Sequence, residues 1–73
     1  MKVRLRIKEV ATERGVSMTK LSQRSEIAYN TIRKIYRDPY KEVSLSTLVR
    51  IANVLKVSIH DLIEEVSDDA ERV

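Results

Sequence analysis

The sequence predicts an all-α domain of five short helices, to which a small strand pair from the two ends can be added. Two observations favour this class. Apolar residues recur at helical spacing through most of the 73 residues, and glycine and proline each occur once. A chain of this length buries only about 60% of its unfolded surface. Because it contains no cysteine, helix packing has to provide the stability that disulfides or thiolate metal sites give other small domains.

The first residues, MKVRLRIK, alternate apolar and basic side chains, which favours a short half-buried strand over residues 2–5. A helix is the alternative there, because four apolar residues also fit helical spacing: Val3, Ile7, Val10 and Ala11. We prefer the strand, followed by a first helix over residues 7–14. Gly15 ends that helix, since glycine adopts the left-handed conformation in which many helices terminate.

Residues 17–37 predict two short helices joined by a brief turn. Ser17 is the expected N-cap of the first, and residues 25–27 form the turn, with Ile27 as an apolar plug beneath it. The second, over residues 28–37, has an apolar face made of Tyr29, Ile32, Ile35 and Tyr36. Its remaining circumference is polar and basic: Asn30, Thr31, Arg33, Lys34 and Arg37. A helix held at an angle by its predecessor, with such groups turned outward, suits the major groove of DNA.

Two further helices complete the predicted bundle. The dipeptide Asp38-Pro39 ends the third helix, because proline lacks an amide donor and disfavours helix at the residue before it. The fourth covers residues 45–55, and a capping box at residues 58–61 opens a last short helix. Residues 64–66 are the candidate strand partner for the N-terminal strand. We expect a helix-turn-helix domain over residues 1–66 and an acidic flexible tail over residues 67–73.

Charge is unevenly divided along the chain. Residues 1–41 contain eleven Lys or Arg against four Asp or Glu, a net charge of +7, whereas residues 42–73 contain three against seven, a net charge of −4. Clustered cations around the central helices attract a polyanion; ordinary solvated charge is the alternative. No apolar stretch approaches about 18 residues, and the N-terminus lacks the apolar segment of a signal peptide. We therefore expect a cytoplasmic protein that does not enter a membrane.

The sequence does not predict an enzyme. His60 is the only histidine, and no cysteine accompanies it, so neither a metal site nor a cofactor is expected. The acidic residues near the C-terminus are serial neighbours, unlike a general acid and base that converge in a pocket. No nucleophile with a base and no phosphate-binding glycine loop is present.

Three segments, in this order, carry a resemblance to a known family: RGVSMTKL, IAYNTIRKIYRD and LSTLVRIANVLKVSIHDLI. Together they resemble the Cro and phage-repressor type helix-turn-helix family over roughly residues 7–65. The resemblance implies a five-helix lambda-repressor-like domain that binds double-stranded DNA. The strings YNTI and KEVSLSTL are similar to a subgroup of minimal bacterial regulators that consist of little more than this domain.

Three positions depart from the family pattern. Glu26 occupies the turn position where the family usually has glycine, and a non-glycine residue at positive φ costs about 1 kcal/mol. Ala28 stands where Ser or Thr often caps the third helix, which leaves an amide uncapped at a cost of about 1 kcal/mol. Met18 replaces a glutamine that often contacts a phosphate, so we expect that contact to come from Ser17, Thr19 or backbone amides.

The resemblance assigns base contacts to four residues of the third helix: Tyr29, Asn30, Arg33 and Lys34. Arg33 can form a bidentate pair with guanine O6 and N7, Asn30 can pair with adenine N6 and N7, and Tyr29 can touch a thymine methyl or a phosphate. The alternatives are a solvated face for Arg33 and Lys34, and packing for Tyr29. Phosphate contacts are expected from residues at helix starts or in the loop after the third helix: Ser17, Thr19, Lys20, Thr31, Arg37, Tyr40 and Lys41.

The leading hypothesis is a sequence-specific DNA-binding transcription regulator, of the repressor kind, that acts as a homodimer on a palindromic operator. One such domain buries only about 600–1,000 Å² on DNA. A dimer that binds two half-sites about 34 Å apart doubles this buried area. Val49, Val54, Leu5 and the terminal segments are candidates for the dimer surface. A second hypothesis is an antitoxin-like or accessory protein-interaction module, which the acidic C-terminus favours. RNA binding is disfavoured, because a helix cannot read the deep groove of A-form RNA.

Overall fold

The computed structural model describes residues 2–67, which form four α-helices, one 3₁₀ turn and two strands. The elements in chain order are strand β1 (Lys2–Leu5), helices α1 (Ile7–Glu13), α2 (Met18–Ser25), α3 (Tyr29–Arg37) and α4 (Leu45–Leu55), the 3₁₀ turn (Ile59–Leu62) and strand β2 (Ile63–Val66). The N-terminal strand and the first four helices are confirmed, with ends that differ by at most one residue. Within the described range, no helix has both the length and the apolar character needed to cross a bilayer.

The helix ends follow the local chemistry of the sequence. Ser17 Oγ accepts a hydrogen bond of 3.2 Å from the backbone N–H of Lys20, which caps α2 as predicted. Ser44 Oγ caps α4 in the same way. Gly15 has a φ of +69°, the left-handed conformation expected where α1 ends. By contrast, α3 begins after Ala28 without a side-chain cap, as the sequence predicts.

The predicted fifth helix is one 3₁₀ turn of four residues, so the described chain is mostly helical but its α-helix count is four. The expected capping box is present, with the Asp61 carboxylate accepting from the backbone N–H of Ser58 at 3.2 Å. The turn cannot lengthen because Ile63 is already extended and pairs with Leu5 of β1. Pairing with the N-terminal strand therefore replaces the last helical turn.

Strands β1 and β2 form a two-stranded antiparallel sheet, which confirms the predicted strand pair. The register sets Lys2 opposite Val66 and Leu5 opposite Ile63. Arg4 lies opposite Glu64 and forms an ion pair with it, with 3.3 Å between Nη1 and Oε1. The backbone N–H of Leu5 also donates to the Pro39 carbonyl at 2.7 Å. The sheet is thereby attached to the loop that follows α3.

A single apolar core joins these elements. Its buried members come from β1, all four helices, the turn between α2 and α3 and the 3₁₀ segment: Leu5, Ile7, Val10, Ala11, Leu21, Ile27, Ile32, Ile35, Leu48, Ile51, Ala52, Leu55 and Leu62. Ile32 and Ile35 are the contribution of α3, and they fix which side of that helix faces solvent. Of the predicted acidic tail over residues 67–73, all but Ser67 lies outside the described residues.

Outside the core, a charged contact joins β1 to α1. The Arg4 guanidinium donates to the Glu9 carboxylate. Partial burial pushes the pKa of Glu9 upward, but the hydrogen bond and charge of Arg4, together with a backbone hydrogen bond and the charge of Arg6, hold that pKa below its usual value. Glu9 is therefore a structural partner of Arg4, ionised at neutral pH.

Candidate nucleic-acid interface

The turn between α2 and α3 is held by two short side-chain hydrogen bonds. Ser22 Oγ donates to the Ile27 carbonyl at 2.5 Å, and Ser25 Oγ donates to the Leu21 carbonyl at 2.5 Å. Ile27 is buried, so it is the apolar plug that the sequence predicts. Glu26 has a φ of +61°, which confirms a left-handed residue at the position where glycine is absent. The turn thus fixes the angle of α3 relative to α2.

Helix α3 is braced along one side. Ile32 and Ile35 are at most 2% exposed, and Tyr36 beside them is half-buried. Burial raises the pKa of the Tyr36 hydroxyl, so Tyr36 stays neutral at physiological pH. Because successive helical residues are about 100° apart, the residues opposite this apolar side must face solvent.

The solvent side of α3 brings four polar and basic residues together. Asn30, Arg33, Lys34 and Arg37 are all exposed and line one shallow depression of about 110 Å³. We call these four residues the basic face of α3. Three of them carry positive charge, and Lys34 and Arg37 lie in the last turn, where cations are favoured by the helix dipole. The basic face of α3 offers an amide, two guanidinium groups and an ammonium group to a partner rich in acceptors.

The other two predicted DNA-contacting residues of α3, Tyr29 and Thr31, lie on either side of the basic face. Tyr29 is 42% exposed at the start of the helix, so its ring is accessible from solvent. Thr31 is half-buried on the other flank, next along the helical wheel to buried Ile35. Three of the four predicted base-contacting residues thus share the basic face with Arg37, and Tyr29 borders it.

The first turn of α2 presents a second group of predicted residues. Ser17, Thr19 and Lys20 are all exposed there. The Ser17 oxygen accepts the capping bond from Lys20, and its hydroxyl hydrogen can still be donated to an external acceptor. This end of α2 therefore offers hydroxyl donors and one ammonium group on the helix that precedes the basic face.

The loop after α3 contains the last two candidates. Lys41 lines a depression of about 250 Å³ together with Lys34, Arg37 and Asp38, so it extends the basic face beyond the helix. The backbone N–H of Tyr40 donates to Asp38 Oδ1 at 3.1 Å, which shapes the loop. The Tyr40 ring lies 5.8 Å from the ammonium of Lys2, a cation–π contact.

Sequence reasoning missed two features of this region. The hydrogen bond from Ser22 to the Ile27 carbonyl restrains the turn. Its only sequence signal is the position of Ser22 beside the inward-facing residues of α2. The contact between Lys2 and Tyr40 depends on the tertiary fold and has no local signal. Within residues 2–67, no cluster of three or more His, Cys, Asp or Glu side chains has a geometry able to hold a metal ion.

Comparison with known proteins agrees with this geometry. The Cro/C1-type HTH DNA-binding domain matches residues 6–68, nearly the whole chain. The chain is 38% identical over 60 residues to YopO, an SPbeta prophage-derived uncharacterized HTH-type transcriptional regulator of Bacillus subtilis strain 168, covering 82% of this chain and 84% of YopO. It is 32% identical over 60 residues to the HTH-type transcriptional regulator SinR of the same strain, and it spans 54% of the length of SinR.

Solved structures of SinR have the same fold. A crystal structure of SinR, the master regulator for biofilm formation, in complex with DNA superposes with a TM-score of 0.71 at 31% identity, covering 75% of this chain and 87% of that one. A SinR–SinI complex gives a TM-score of 0.75 at 28% identity, covering 92% of this chain and 69% of that one. Given the turn, the exposed basic face of α3 and the match over residues 6–68, the chain belongs to the Cro/C1-type family of helix-turn-helix DNA-binding domains.

Proposed function

We propose that the chain is a sequence-specific transcription regulator that reads double-stranded DNA with residues 28–37, which are α3 and its N-cap residue, as the recognition helix. The observation that carries this proposal is the basic face of α3: four exposed polar or basic side chains on one side of a helix whose other side is buried. The similarity to HTH-type transcriptional regulators supports the same conclusion.

The side chains of the basic face and its border match different groups on the base edges. Arg33 would form two parallel hydrogen bonds with guanine O6 and N7, and Asn30 would pair with adenine N6 and N7. Tyr29 and Lys34 border these two and would contact a thymine methyl and neighbouring base edges. The phosphates on either side would be held by residues at the start of α2, on α3 and in the loop after it: Ser17, Thr19, Lys20, Thr31, Arg37, Tyr40 and Lys41.

Binding as a homodimer to a palindromic operator, with repression as the outcome, completes the proposal. One helix-turn-helix module buries about 600–1,000 Å² on DNA, less than most tight specific complexes. Two copies related by a twofold axis double that area and read two half-sites about 34 Å apart. A bound dimer on a promoter excludes polymerase by occupancy, so no catalytic group is needed.

Selection of bound duplexes from a random pool tests this proposal. The expected result is an inverted repeat whose half-sites are separated by about one helical turn, or 10–10.5 base pairs between their centres. The matched control is the Asn30→Ala/Arg33→Ala variant, which should enrich no sequence because both proposed base contacts are removed. A wild-type pool without any enriched sequence would contradict sequence-specific recognition.

A protein-interaction role is the second candidate, because a SinR protein has been solved in complex with SinI. In that case a protein partner would occupy a surface of this chain and DNA binding would be secondary. Retention on a random-duplex column at moderate salt discriminates the two: a regulator is retained, whereas an interaction module passes through.

A further inference from the structure

A groove of about 650 Å³ lies on the side of the domain where the sheet, the loop after α3 and α4 meet. Its walls are mainly apolar: Val3 and Leu5 come from β1, Ile63 from β2, Val43 from the loop and Leu48 from α4. Tyr40 and Lys41, which are also proposed phosphate contacts, line the same groove. The apolar walls, however, take no part in the basic face of α3, and the proposed DNA contacts do not explain them.

Two more exposed apolar residues lie on α4, the helix that contributes Leu48 to the groove. Leu45 and Val49 are about 40° apart around the helix axis, and they lie about 60° and 100° from Leu48. Leu45 is 67% exposed and Val49 is 38% exposed, and at the groove Val3 is 50% exposed. We call these three exposed residues the apolar face. An apolar groove accompanied by exposed apolar side chains on a neighbouring helix face indicates a docking site on a small domain.

The charges at its edge indicate what docks there. Three charged residues line the groove: Lys2, Lys41 and Glu42. Lys2 is engaged with the Tyr40 ring, whereas among residues 2–67 neither Lys41 nor Glu42 has an ion-pair partner. In a twofold-symmetric interface the same patch meets itself, so Lys41 of one copy can pair with Glu42 of the other, twice. A purely acidic or purely basic partner would leave one of these charges unmatched. The remaining C-terminal residues 68–73, DDAERV, offer few large apolar groups to fill the groove.

Lys41 also connects this surface to the DNA-binding side. It lines both the apolar groove and the depression that contains Lys34 and Arg37. A dimer formed through the apolar face would bring the loop after α3 of each copy close to the interface, an arrangement compatible with two half-sites on one face of a duplex. We propose that the apolar face is the homodimer interface of this protein; the inference rests on the homodimeric function proposed above.

Sedimentation equilibrium of the full chain without DNA, up to millimolar concentration, tests the interface. The variant is Leu45→Glu/Val49→Glu, which places two carboxylates per copy in the apolar face. The matched control is Arg50→Glu, which changes the net charge by the same two units on α4 but lies about 140° around the helix from Leu45. The double variant should raise the dimer dissociation constant by about thirtyfold or more, and the control should change it by less than about threefold.

Cross-linking provides a second measurement that does not depend on carboxylates being tolerated. The chain has no cysteine, so Leu45→Cys and Val49→Cys each introduce a unique thiol, and Arg50→Cys is the control. A short bis-maleimide should join copies through at least one of the first two and not through the control.

The outcomes separate the interface from the function. A wild-type chain that is monomeric at millimolar concentration and gives no cross-link overturns the interface. A dimer that survives the two carboxylates overturns the interface but leaves homodimeric regulation standing. If the Leu45→Glu/Val49→Glu variant no longer dimerises but its single copies still bind a half-site, the interface is supported. If the wild-type chain itself does not bind DNA, the proposed function is wrong.

Discussion

Replacing Glu26 by glycine should stabilise the domain. Glu26 has a φ of +61° in the turn between α2 and α3, a conformation that costs a side chain bearing a Cβ about 1–2 kcal/mol. Glycine removes this strain but loses about 0.5–1 kcal/mol more conformational entropy on folding. The net gain in the free energy of unfolding is therefore about 0.5–1 kcal/mol.

The Glu26 carboxylate offsets little of that gain. Among the described residues it forms no hydrogen bond and no ion pair. It lines a shallow depression with Arg24 and Arg50, beyond ion-pair distance of both, and such exposed attractions contribute at most about 0.5 kcal/mol. The relief of backbone strain therefore outweighs the lost attraction between charges. The substitution should raise the melting temperature by about 2–8 °C for a domain of this size.

Thermal unfolding followed by circular dichroism at neutral pH measures this shift. Glu26→Gln is the control, because it removes the charge and keeps the Cβ; its melting temperature should equal that of the wild type or fall slightly. If glycine leaves the melting temperature unchanged or lowers it, the left-handed strain assigned to this turn is absent. If glutamine stabilises as much as glycine, charge rather than backbone conformation is the cause.

Three further predictions follow from the site and its supports. Arg33→Ala should weaken binding to the selected operator by about 1–3 kcal/mol and relax the preference at one base pair, whereas Arg24→Ala should do neither. Fluorescence anisotropy measures both affinities. An equal loss of affinity for the operator and for a random duplex would contradict a base contact. The logarithm of affinity should fall against the logarithm of salt concentration with a slope near −5 if about six phosphates are neutralised per site, and a slope near zero would exclude phosphate anchoring. The pKa of Glu9 is lowered in the folded chain from its ordinary value of 4.5. The ion pair with Arg4 therefore stabilises the folded state at pH values above 4.5, and this stabilisation is lost as the pH falls through the folded-state pKa. Urea titrations should show the wild type more stable than Glu9→Gln at neutral pH and no longer so in acid.

Much of this fold can be predicted from local sequence signals. Alternation identifies β1, and the spacing of Ile32 and Ile35 identifies α3 and its solvent side, because burial of one face is a local pattern. Ser17 and Gly15 mark helix ends through chemistry within a few residues. These signals also locate the basic face of α3, since its position follows from the buried side of the same helix.

Features that depend on distant contacts were not predictable in this way. The capping box at Ser58 correctly predicts a helical start, yet the segment ends as a 3₁₀ turn because Ile63 pairs with Leu5 at the other end of the chain. The pairing itself was suggested by matching charges, and the ion pair between Arg4 and Glu64 agrees with that reasoning. The apolar groove is invisible in the sequence, because its walls come from four separate elements.

The most direct test of DNA recognition by α3 is a titration of the ¹⁵N-labelled chain with its selected duplex, followed by NMR. The largest chemical-shift changes should fall on Asn30, Arg33 and Lys34, with smaller changes at the start of α2 and in the loop after α3. Changes centred on α4 or the sheet, with the α3 signals unmoved, would contradict the account.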